Sequence, residues 1–178
     1  LASPLQTLSA ATTAITALGN GSTLRLKCGS TWRETLNLSS LSGITVSAYS
    51  TGAAPIVAGC DVITGWTQDG TLTNLWYKDV SHDSTGNNRQ VVIDDDALMN
   101  RVADTATANT TPGAYYSANC STANPIRVYI NPNGTNPNSN GHVYEVTKRT
   151  NAIFLGANAT LTGIVAKGAC SNNGPIET

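Results

Sequence analysis

The hydrophobic pattern changes period once near the start of the chain and again in its middle. Across Leu8–Leu18, LSAATTAITAL, the residues Leu8, Ile15 and Leu18 fall near one face of a helical period, and Gly19 and Gly21 follow as C-terminal stop signals. This segment predicts a short amphipathic helix. From Thr23 onward the alternation is every second residue: Thr23 to Cys28, then Leu36-Asn37-Leu38, Ile44-Thr45-Val46 and Ile56-Val57, each bounded by Gly, Ser or Asn. No Asn-Gly or Asp-Gly pair, the usual two-residue hairpin turn, joins these runs. A coil in which each short strand pairs with its equivalent one turn later, at a repeat of roughly 20 to 30 residues, accounts for them better than hairpins do. The helix would then cover apolar core and strand edges at the open end of the coil.

The middle breaks this rhythm. Trp66, Leu75-Trp76-Tyr77, Val91-Val92-Ile93, Tyr115-Tyr116 and Arg127-Val128-Tyr129-Ile130 are aromatic-rich runs separated by long polar stretches, with a turn at Asp94-Asp95-Asp96. They predict an antiparallel excursion. After Pro132-Asn133-Gly134 the short-strand rhythm resumes with Val143-Tyr144-Glu145-Val146, Ala152 to Leu155 and Leu161 to Val165. The expected organisation is a cap helix at 1–21, first coils at 22–64, an antiparallel excursion at 65–141 and resumed coils, truncated at an open end, at 142–178.

Composition narrows the class. Of 178 residues, 40% are hydrophobic but only 12% charged, so Thr, Ser, Asn and Gly carry the polar surface. That is the palette of an extracellular β-rich protein, and the leading Leu fits a chain from which a signal peptide has been removed. A secreted location is therefore expected. A net charge of -1 with scattered basic residues gives no footprint for nucleic acid, and no apolar run approaches the roughly 20 residues that span a bilayer, so neither partner is expected. Cys28, Cys60, Cys120 and Cys170 are too far apart for a zinc knuckle or a CxxC pair, and His82 and His142 lie far from them in sequence. No metal site is expected from these residues. The cysteines read as two disulfides, or as small buried apolar residues.

The stretch from Gly19 to Gly59 resembles the opening of pectate-lyase-like parallel β-helix proteins, among them chondroitinase-B-like and alginate lyases and β-helical glycosidases. Asn20-Gly21-Ser22-Thr23-Leu24 stands where that group has G-D-T-I, Gly29 and Glu34-Thr35-Leu36 match the next element, and Gly43-Ile44-Thr45-Val46 the third. Asn20 departs from the Asp of the pattern. Three further blocks are similar to the excursion of those proteins: Val91 to Arg101, Pro112 to Tyr116, and Val128 to Pro137. The resemblance covers most of the chain, but its residues are corners, strands and turns. It implies an all-β, right-handed parallel β-helix whose N-terminal coils carry a capping helix and an antiparallel β excursion. It further implies a lyase or glycosidase acting on polysaccharide, with its catalytic residues and any Ca²⁺ site on later coils. No catalytic residue is assigned within this chain, and no cofactor is expected in it.

Five residues are candidate polysaccharide contacts. Lys148, Arg149 and Lys167 could form a basic ladder on successive coils, suited to a uronate carboxylate, although an arginine at such a corner also serves to hydrogen-bond neighbouring turns. Trp32 and Tyr49, near strand corners, could stack on sugar rings, whereas Trp66, Trp76, Tyr77, Tyr115 and Tyr116 read mostly as excursion core. The Asp94-Asp95-Asp96 carboxylates read as a turn rather than a Ca²⁺ site, since three consecutive turn residues cannot all aim at one ion. The competing expectation is a non-catalytic glycan-binding or surface-appendage module of tailspike type, whose open end is covered by self-association or by further coils.

Overall fold

The computed structural model describes residues 4–83, 91–170 and 174–178. The protein is all-β in class, with short mixed sheets and two short helices among the described residues. In chain order the first elements are helix α1 (Leu8–Leu18) and strands β1 (Thr23–Lys27), β2 (Thr31–Trp32), β3 (Leu36–Leu38), β4 (Thr45–Tyr49) and β5 (Ile56–Ala58). Then come β6 (Cys60–Val62), β7 (Thr67–Gln68), β8 (Trp76–Val80), β9 (Val92–Asp94), β10 (Ala97–Leu98), β11 (Asn100–Arg101), α2 (Thr105–Thr110), β12 (Ala114–Ser117), β13 (Ile126–Ile130) and β14 (Tyr144–Thr147). The last are β15 (Ile153–Leu155), β16 (Thr160–Thr162), β17 (Val165–Lys167) and β18 (Ile176–Glu177).

The chain forms two compact units, one of residues 1–59 with 149–178 and the other of residues 60–148. In the first, three parallel three-stranded sheets are ordered β1-β4-β16, β2-β5-β17 and β3-β15-β18. Each sheet takes one strand from every pass of the chain: Thr23 pairs with Thr45 and Thr45 with Thr160, while Thr31 pairs with Ile56 and Ile56 with Val165. Leu36 pairs with Ile153 and Ile153 with Ile176. Inward residues alternate along the strands, so Leu26, Leu36, Leu38, Val46, Val57 and Ile153 share one core and are at most 3% exposed. Each such burial stabilises the fold by about 1.5–3 kcal/mol before the loss of chain entropy is set against it. The corners are tight: a Cβ on Gly156 would strike the Leu41 carbonyl, and one on Gly59 the Gly168 carbonyl.

Helix α1 contributes Leu8, Ala11 and Ile15 to this core, while Leu18, expected on the same face, is 74% exposed. The three buried positions follow a spacing of three and four, and Leu18 falls after the last turn that can reach the core. The helix ends as its sequence requires, at Gly19 with φ 86°, whose N–H donates to the Ile15 carbonyl.

The second unit contains a four-stranded antiparallel sheet, β10-β9-β14-β6, and a five-stranded mixed sheet, β11-β12-β13-β8-β7, with antiparallel pairs except between β11 and β12. Val92, Tyr144 and Val146 of the first sheet meet Val80, Tyr115 and Val128 of the second in a shared core with Trp66. Two strands were expected elsewhere. Tyr144–Thr147 was read as part of the resumed coil and Cys60–Val62 as part of the first coils, yet β14 pairs antiparallel with both β9 and β6. The alternation in Tyr144–Thr147 is hidden because all four residues are buried. No disulfide is seen among the described residues; Cys60, Cys120 and Cys170 are buried and Cys28 is partly buried. The reading as small buried residues describes the first three.

Candidate functional site

In the first unit an open cleft of about 1100 Å³ lies along β1 and β2, walled on its other side by residues 4–8 and the first turns of α1. Two of the five candidate residues, Trp32 and Tyr49, line it together. Parallel pairing explains their meeting: Tyr49 is the register partner of Lys27 on β1, and Trp32 stands on β2 five residues further along. Arg25, Lys27 and Arg33 border the same cleft. The carboxylate there, Glu34, accepts hydrogen bonds from the backbone N–H groups of Leu8 at 2.9 Å and Ser9 at 3.1 Å. Thr7 Oγ1 accepts from the Ala10 N–H at 3.1 Å, so three otherwise unsatisfied helix donors are met by side chains. With Glu34 held against the positive helix terminus, the cleft presents three cations and two aromatic side chains.

Trp32 is partly buried against the core, and its indole N–H donates to the Gln6 carbonyl at 3.2 Å. It thus anchors the segment that walls the cleft as well as lining it. The basic candidates do not join this cleft. Lys148 belongs to the second unit and pairs with Asp61 at 3.5 Å. Arg149 and Lys167 both border the corner after β5: Arg149 Nη1 donates to the Ala58 carbonyl at 3.5 Å, Lys167 is the register partner of Ala58, and the Gly59 N–H donates to the Lys167 carbonyl at 2.8 Å.

A further cluster lies in the second unit. Asp95 and Asp96, with φ of 45° and 70°, form the two-residue turn between β9 and β10. Because Tyr144 is in register with Asp94, His142 arrives beside that turn: its Nδ1 is 2.8 Å from Asp94 Oδ1 and 3.0 Å from Asp95 Oδ2. Asp95 Oδ1 also accepts from the Val143 N–H at 2.7 Å. Hydrogen bonding to Asp94, then the charges of Asp94 and Asp95, raise the His142 pKa above its ordinary 6.5. Ligand atoms of Asp94, Asp95 and His142 lie within 4.8 Å of one another, a set that could hold a cation. The sequence reading, which expected no metal ligands, missed His142 because 48 residues separate it from Asp94.

No family model matches the chain, and no curated protein matches it. Among solved structures, XylC in its complex with xylose is similar over 87% of this chain and 30% of its own, with a TM-score of 0.63 and 15% identity. The two share a fold. A second structure, described as a glycoside hydrolase, aligns over 84% of this chain and 43% of its own, with a TM-score of 0.49 and 12% identity. This chain therefore spans about a third of the length of XylC.

Proposed function

We propose that this chain is the N-terminal segment of a secreted, polysaccharide-acting protein built on a right-handed parallel β-helix, of lyase or glycosidase class, and that it grips an acidic glycan in the cleft along β1 and β2. The observation that carries the reading is the convergence of Trp32, Tyr49, Arg25, Lys27 and Arg33 on one open volume while Glu34 is engaged by the helix. Aromatic side chains offer faces to sugar C–H groups, and the cations offer donors to uronate carboxylates. The β-helix reading is supported by three parallel sheets that each collect one strand per pass, and the carbohydrate reading by the fold shared with XylC, which was solved with xylose. Arg149 and Lys167 are a second rim for the same ligand class. In this reading the outer edges of β16, β17 and β18 receive the strands of a further coil or of another molecule. The competing reading, a glycan-binding or appendage module without catalysis, differs in turnover alone.

The test is a glycan array with the purified chain, followed by titration of polygalacturonate and alginate against wild type, Trp32→Ala and Tyr49→Ala. Binding that weakens with salt and falls at least tenfold in both variants is expected. Wild-type binding that neither variant alters overturns the cleft assignment, and an array without any glycan hit overturns the function. Release of unsaturated uronate would make the chain an enzyme; binding without release selects the module.

A further inference from the structure

The five-stranded sheet of the second unit has two faces of different chemistry. Val80, Val128 and Ile130 point into the core, and the alternate positions point away from it. On that outer face Tyr116 on β12 is the register partner of Tyr129 on β13, which is in turn the partner of Tyr77 on β8. Thr67 on β7 continues the row beside Tyr77. The ring centroids of Tyr77 and Tyr129 are 5.8 Å apart and those of Tyr116 and Tyr129 6.4 Å apart, so the rings form a continuous strip at right angles to the strands. All three are partly exposed. The sequence reading placed Tyr77 and Tyr116 mostly in the core and gave Tyr129 no role.

The guanidinium on this face is paired. Arg127 lies over the Tyr77 ring at 4.2 Å from its centroid and makes paired hydrogen bonds to Asp79 at 2.7 and 2.9 Å. Guanidinium and carboxylate thus satisfy each other, and the stacked Arg127 holds the Tyr77 ring in place. Among the described residues the guanidinium of this strip, Arg127, is committed to Asp79, and the Asp69 carboxylate near it adds negative charge, so the strip disfavours an anionic polymer. Rings one strand apart, each with a hydroxyl at its edge, suit consecutive residues of an uncharged sugar chain lying across the sheet.

We propose that Tyr77, Tyr116 and Tyr129 form a stacking platform for a neutral polysaccharide, separate from the acidic-glycan cleft. The platform adds a ligand class to the reading of the protein as polysaccharide-acting, and rests on that reading. Its test is titration calorimetry of wild type, Tyr129→Ala, Tyr129→Phe and Trp32→Ala with xylohexaose and cellohexaose, and with polygalacturonate in parallel. Expected is binding of a neutral oligosaccharide that high salt leaves unchanged. It should fall at least tenfold in Tyr129→Ala and stay within about threefold of wild type in Tyr129→Phe, which keeps the ring and the fold.

Loss of neutral binding in Trp32→Ala with retention in Tyr129→Ala would overturn the platform while leaving the polysaccharide reading intact. Equal loss in Tyr129→Phe and Tyr129→Ala would show that ring stacking is not the contact. Binding of polygalacturonate alone overturns the platform and spares the cleft. Absence of all glycan binding, with sedimentation showing a dimer that Tyr129→Ala dissociates, would assign the face to a second copy of the chain.

Discussion

Single residues carry two jobs in this protein, and Glu34 shows how that can be measured. Its carboxylate stands where a ligand-binding acid could stand, yet it receives the Leu8 and Ser9 N–H groups. Glu34→Ala should lower unfolding stability in urea by about 1 kcal/mol, the usual cost of losing a helix cap. His142 gives a pH dependence of definite sign. Its pKa is raised in the folded state, so its contribution is fully present below the unfolded value near 6.5 and is lost as pH rises through the higher folded value. Asp69, Asp79 and Asp104 are held below 3.8, by backbone N–H donors for Asp69 and Asp104 and by Arg127 for Asp79, so they weaken the fold only in stronger acid. Thermal melts should therefore show wild type losing melting temperature relative to His142→Gln as pH rises above 6.5. Parallel curves across that range would remove the histidine from the account.

At the scale of elements, what the sequence revealed followed from local signals, and what it hid followed from pairing. Helix α1 was legible from Leu8, Ile15 and Gly19, and the short strands β1, β3, β4 and β5 from alternation between Gly, Ser and Asn. The turn at Asp94-Asp95-Asp96 was legible as well, because consecutive aspartates tolerate positive φ. The tyrosine strip was not: alternation tells which residues share a face, but only antiparallel register tells which strands place their faces side by side. Trp32 and Tyr49 were singled out by position near corners, and the cleft that joins them depends on the packing of α1, which no local spacing encodes. Glycine at the corners also had an unread role. Gly156 has no positive φ to explain it; what its site requires is the absence of a side chain beside the Leu41 carbonyl. Gly156→Ala should destabilise the first unit by about 2–3 kcal/mol in denaturant unfolding, since the obstructing atom is backbone and cannot swing aside. A change under about 0.5 kcal/mol would mean that the corner relaxes freely.

Over the whole molecule, residues 60–148 separate strands β1–β5 from β15–β18, which nevertheless pair with one another in parallel register. Two backbone contacts lie at the ends of this segment. Cys60 and Thr147 are register partners within the inserted unit, and the Arg149 N–H donates to the Gly59 carbonyl at 3.0 Å within the other. Closing a flexible loop of 89 residues costs about 4 kcal/mol of chain entropy. An insertion that folds first would meet that cost through its own β6–β14 pairing, and the chain beyond it would then behave as though it followed Gly59 directly. Leu36 and Ile153 would then be neighbours along a much shorter effective path, and a contact distant in sequence would become local in the folding chain. The insertion would act in this sense as a splint for the assembly of the three parallel sheets, a role that belongs to the spacing of its two ends and not to the identity of anything between them.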